Sequence, residues 1–144
     1  MITVRPLACV AAMAAVLAVA TIERSAAQTA KPAPNTTAKT TMSGVYTASQ
    51  AEKGEEIYYG TCITCHPKGT YAGASFNKNW NGRPLSDLYD WVKTKMPKSD
   101  PGALSPNESV QVMAYILQQN KMPAGSTPMS TDRNALGRIT IRLK

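Results

Sequence analysis

Two of the chain's three cysteines and its only histidine fall within five residues, Cys62-Ile63-Thr64-Cys65-His66. A chain so sparing of both residue types has few ways to use them, and each way imposes its own fold. Three kinds of site take this donor set: a zinc site, a redox dithiol, and the covalent attachment of a haem. What the rest of the 144-residue chain can offer decides among them.

A zinc ion wants about four protein ligands in a structural site, or three and a water in a catalytic one. Cys62, Cys65 and His66 supply three, crowded onto one short stretch. Beyond Cys9, in the apolar N-terminal segment, the chain has no other Cys or His to complete a tetrahedron. A thioredoxin-type dithiol opens a helix that follows a strand; here the pair follows a helical pattern, and no βαβ pattern surrounds it. Haem attachment uses every residue of the motif, because Cys-x-x-Cys-His is its signature. Thiols at i and i+3 project toward one edge of the macrocycle and add to its two vinyl groups, while the histidine at i+4 swings beneath the ring to the iron. A covalent haem also adds apolar mass to a globular part of about 100 residues, a small core to be self-supporting. The sequence therefore predicts one haem c, bonded through Cys62 and Cys65, with His66 on the metal.

With His66 spent, a second histidine ligand is excluded, and methionine is the usual partner of His in such centres. Met1 and Met13 lie in the N-terminal segment, Met42 in a linker-like stretch, and Met113 on the packed face of a helical pattern. Met96, Met122 and Met129 remain. Met96 stands in "TKMPKSDPGALSP", where Pro97 bars helical geometry from the residue before it, so its thioether leaves a helix exit and can turn inward. It is the leading candidate for the iron, with Met122 in "NKMPAG" as its rival. The ordinary role of any such residue is to fill core.

Met1 to Ala27 reads as a signal peptide: Arg5, an apolar run from Leu7 to Ala20, then Ser25-Ala26-Ala27 before Gln28. The run is short for a membrane span of about 20 residues. Its removal takes Arg5, Arg24 and Glu23 and lowers the formal charge by one from +7. Residues 28–43, rich in Thr, Ala, Lys and Pro, are expected to be a disordered tether, and residues 44–144 to form the domain. An all-α fold follows from three helical patterns. Thr47 to Gln50 and Ser105 to Glu108 are capping boxes opening the first and third, and Pro84 sits at the first turn of the second. Ala51, Gly54, Ile57 and Tyr58 share a face of the first; Leu85, Leu88, Tyr89 and Val92 of the second; Val110, Met113, Ala114 and Leu117 of the third. Only Ile139, Ile141 and Leu143 alternate as a strand would. The basic residues are scattered singly, without the runs or aromatic repeats of nucleic-acid modules, so neither DNA nor RNA is expected as a partner. An acidic protein is.

"CITCH", "WNGRPLSDLYDWVKTKMP", "PGALSP" and "AYILQQNKMPAG" together resemble class I c-type cytochromes. More narrowly, the stretch from Val45 to about Gly125 looks like the small monohaem cytochromes that accept electrons from exported quinoprotein alcohol dehydrogenases or are fused to them. That resemblance implies the small cytochrome c fold, three main helices and loops wrapped around one covalent haem, with His66 and Met96 on the iron. It also implies that the first helix crosses the last through Gly54, Tyr58 and Tyr115, and that Trp80 and Arg83 line the haem pocket and reach a propionate. Pro67 departs from the family, where a glycine commonly follows the motif. The function so implied is one-electron transfer, not catalysis, in the periplasm, between a dehydrogenase and an oxidase or other carrier of the respiratory chain. Membrane association is not required.

Overall fold

A computed structural model describes residues 39–144. The expected signal peptide and residues 28–38 of the expected tether lie outside the described residues. The described residues include five α-helices and a two-residue strand pair, β1 (Lys39–Thr40), α1 (Ala48–Ile57), α2 (Ala74–Trp80), α3 (Leu85–Lys95), α4 (Pro106–Gln119), α5 (Arg133–Gly137) and β2 (Ile139–Thr140), besides a 3-10 turn at Thr41–Ser43 and a π turn at Tyr58–Cys62. The fold is the expected small all-α one: α1, α3 and α4 are its three main helices, and α2 and α5 are short additions.

Both capping boxes form. Thr47 N–H donates to Gln50 Oε1 at 3.2 Å and Thr47 Oγ1 accepts from Gln50 N at 3.3 Å. At α4, Ser105 N–H donates to Glu108 Oε2 at 2.7 Å and Ser105 Oγ accepts from Glu108 N at 3.2 Å. Each box satisfies N-terminal amides that no helical carbonyl can reach. Pro84 stands one residue outside α3, in extended geometry, instead of in its first turn. Its carbonyl still accepts from Asp87 N at 3.0 Å and so closes the entry turn.

The core sits where α1 crosses α4. Gly54 makes the crossing, because a Cβ there would lie 1.8 Å from the Gln111 carbonyl oxygen. Beside it the Tyr58 and Tyr115 rings meet with centroids 5.2 Å apart. α4 buries Val110, Met113, Ala114 and Leu117, and α3 buries Leu85, Leu88, Tyr89 and Val92. Tyr46 O–H donates to the Met122 carbonyl at 2.7 Å within the core, and Gly125 N–H donates to the Tyr46 carbonyl, also at 2.7 Å. These bonds pin the segment after α4 to the one before α1.

The domain begins earlier than the expected boundary at Gly44. Lys39 and Thr40 pair in parallel with Ile139 and Thr140, and Thr41 is fully buried, its Oγ1 donating to the Arg142 carbonyl at 3.1 Å. Composition marked this stretch as tether; a partner strand about 100 positions away, which no local pattern reveals, orders it. The Ile139–Leu143 alternation corresponds to β2 and its extension, with Ile139 and Ile141 buried.

Candidate functional site

α1 does not stop at Ile57. It widens into a π turn over Tyr58–Cys62, closed by Ile63 N–H to the Tyr58 carbonyl at 3.0 Å. Such turns are uncommon and gather at functional positions. The Cys62 carbonyl then accepts from Cys65 N at 3.2 Å and from His66 N at 2.9 Å, which wraps the five-residue motif into one tight turn. Cys62 is half-buried and burial pushes its thiol pKa up. Cys65 is exposed, and neither cysteine is in a disulfide.

Two tyrosines hold His66. Tyr58 O–H donates to its carbonyl at 2.6 Å, and burial, with a smaller contribution from Cys62, pushes the Tyr58 hydroxyl up to about 12. Tyr71 Oη lies 3.2 Å from both ring nitrogens, so it bonds one or the other according to the tautomer. Pro67 caps a turn instead of breaking the motif: its carbonyl accepts from Thr70 N at 3.0 Å and Thr70 Oγ1 at 2.6 Å. The C-terminal end of α4 staples this loop. Asn120 Nδ2 donates to the Tyr71 carbonyl at 2.6 Å, Asn120 Oδ1 accepts from Gly73 N at 3.0 Å, and Gln119 Oε1 accepts from Gly69 N at 3.3 Å.

Met96 leaves α3 in extended geometry, φ −123° and ψ 153°. Its loop is folded back on the helix by Gly102 N–H to the Met96 carbonyl at 3.3 Å and by Lys93 Nζ to the Gly102 carbonyl at 3.0 Å. Both loops open on one cavity of about 710 Å³, within the range of cofactor-sized sites. Cys62, Cys65, His66, Met96 and Trp80 line it, together with Tyr58, Tyr71, Phe76, Leu88, Val92, Leu104, Val112 and Ile116. The motif's thiols and imidazole are thus brought to a largely apolar chamber that also receives the Met96 side chain. That combination fits a haem, whose macrocycle needs apolar walls, two thiols and axial donors. Among the described residues no group of three or more His, Cys, Asp or Glu side chains is arranged to hold a metal ion directly.

A protein-family model described as cytochrome c oxidase, cbb3-type, subunit III matches residues 49–116. The match supports a class I c-type cytochrome. The matched span runs from α1 into α4, so it includes the Cys62–His66 motif and Met96. A search of curated proteins and a search of solved structures each gave no match. A cytochrome c domain implies covalently bound haem and suggests electron transfer with protein redox partners.

Not every anticipated residue reaches the cavity. Arg83 is absent from its walls; the guanidinium bonds Asp87 at 2.9 Å and stacks over Trp80, 4.8 Å from the ring centroid. It therefore borders the pocket from outside, against Trp80. Met122 is buried in the core and is not part of the wall. Sequence reasoning overlooked Tyr71, Phe76 and Asn120. The "TYAGASF" segment has no clear periodicity, and the Asn120 contacts span nearly 50 positions.

Proposed function

We propose that this cytochrome is an exported monohaem carrier that moves single electrons between a periplasmic dehydrogenase and the respiratory chain. The observation that carries the reading is the shared cavity: it is lined at once by Cys62, Cys65, His66 and Met96, and by no other methionine among the described residues. Cys62 and Cys65 would hold one haem through thioether bonds, and His66 and Met96 would bind its iron. A haem so held supplies one-electron Fe(III)/Fe(II) chemistry, with the methionine sulfur raising the reduction potential. The residues around it keep that chemistry dry and fixed. Tyr58 and Tyr71 restrain His66, the Gly102 and Lys93 bonds restrain the Met96 loop, and Phe76, Leu88, Leu104 and Ile116 exclude water. A haem iron bound by both His66 and Met96 would offer no free position to a substrate, which favours a carrier over an enzyme.

Export rests on the leader-like Met1–Ala27 segment, and a quinoprotein alcohol dehydrogenase as donor rests on the motifs quoted above. Carbon monoxide tests the ligand set. The reduced wild-type protein should fail to bind it promptly, Met96→Ala should bind it at once, and Met122→Ala should behave as wild type. Prompt binding by wild type, or by Met122→Ala alone, would displace Met96 as the sixth ligand. Reduction in stopped flow by a quinoprotein alcohol dehydrogenase supplied with ethanol tests the donor.

A further inference from the structure

Two large apolar side chains are conspicuously exposed among the described residues, Trp91 at 49% and Tyr59 at 44%. They differ in what lies behind them. Tyr59 is not part of the cavity wall, whereas Trp91 lines it and also lines a second groove of about 230 Å³, shared with Arg83, Asp87, Asp90, Thr94 and Lys95. One indole therefore separates a solvent groove from the chamber that receives the haem. We propose that Trp91 is the anchor of this cytochrome's docking surface, and that the surface it meets is a protein patch with an apolar centre ringed by carboxylates. The inference rests on the electron-carrier reading and adds to it where the partner sits and what chemistry it presents.

Charge sets the partner's character. The two carboxylates of the groove are already paired, Asp87 with Arg83 at 2.9 Å and Asp90 with Arg133 at 2.7 Å. Lys95 and Lys98, both exposed and both at the cavity wall, have no carboxylate partner among the described residues. A half-exposed tryptophan beside unpaired cations is the composition of an interface centre and its rim, and Trp is among the residue types most enriched where binding energy concentrates. A partner that covers the indole and offers carboxylates to Lys95 and Lys98 gains burial and charge pairing together. It also places its own atoms in contact with a ring that already borders the haem chamber, which shortens the through-space gap an electron must cross. A second copy of this chain would bring lysines against lysines.

The test uses the haem-loaded full protein on gold bearing a mixed monolayer of carboxylate- and methyl-terminated thiols. Binding is read by surface plasmon resonance and electron exchange by voltammetry on the same surface. Trp91→Ala should bind about tenfold more weakly than wild type and exchange electrons more slowly, Trp91→Phe should recover most of both, and Tyr59→Ala should match wild type. Lys95→Gln, which leaves the indole in place, should weaken binding at low salt and converge with wild type at high salt. Wild-type binding by Trp91→Ala, or an equal loss in Tyr59→Ala, would overturn the anchor while leaving the carrier reading intact. Wild-type dimers that Trp91→Ala converts to monomers would assign the surface to self-association and overturn it too. No voltammetric wave from any variant, wild type included, would instead remove the carrier reading and the anchor with it.

Discussion

Gly54 shows how one missing side chain can decide a fold. A Cβ there would press to 1.8 Å of the Gln111 carbonyl oxygen, and the obstacle is backbone, which cannot rotate away. Gly54→Ala should therefore cost at least about 3 kcal/mol in denaturant unfolding, although alanine is the better helix former by about 1 kcal/mol. A stabilised Gly54→Ala would mean the α1–α4 crossing is wrong. In the sequence only the family resemblance marked this glycine as a crossing point, and the Gln111 backbone against it supplies the physical reason. Tyr58 is a second case. Its hydroxyl holds the His66 carbonyl at 2.6 Å, so Tyr58→Phe should destabilise by about 1 kcal/mol, read as a lower denaturant midpoint at unchanged slope.

At the scale of elements, the features legible in the sequence were those with local causes. The two capping boxes, the three main helices and the break at Met96-Pro97 each follow from residues within four positions of one another. α2, α5 and the pairing of β1 with β2 were not legible. The first two are too short to show a helical period, and the strand pair depends on Thr41 meeting Arg142 across the chain. The same division runs through the site. Cys62, Cys65 and His66 announced themselves by spacing and Met96 by its proline, while Tyr71 and the Asn120 staple needed the folded loop. Arg83 was anticipated in the pocket and stands outside it, drawn off by Asp87 one helical turn on. The α4 cap also carries a pH signature. The Ser105 amide, then its hydroxyl, hold the Glu108 carboxyl below its ordinary value. A depressed folded-state pKa contributes stability above the unfolded value that is lost as pH falls through the folded one. Over that acid window the wild type should lose more stability than Glu108→Gln, which keeps a capping side chain without titrating. Equal slopes for the two in pH-resolved unfolding would remove Glu108 from the acid response.

For the whole molecule the question is what fills the space between the loops. A chamber of about 710 Å³ with largely apolar walls leaves those walls unpacked when its occupant is missing, a large loss for a domain that about 5–15 kcal/mol typically holds together. Cys62→Ser combined with Cys65→Ser should therefore yield a chain without native helix content by circular dichroism. A fully helical, cooperatively unfolding double variant would show that the core stands without the attachment. The basic balance of the chain acts over longer range: its reduction by an acidic donor should slow as ionic strength rises, and a rate indifferent to salt would remove electrostatic steering from the account. All of this depends on covalent attachment at one short motif. The most direct check is the intact mass of the purified protein, denatured so that only covalent groups remain. The expected mass is that of the polypeptide plus a single haem. The mass of the bare polypeptide would contradict it.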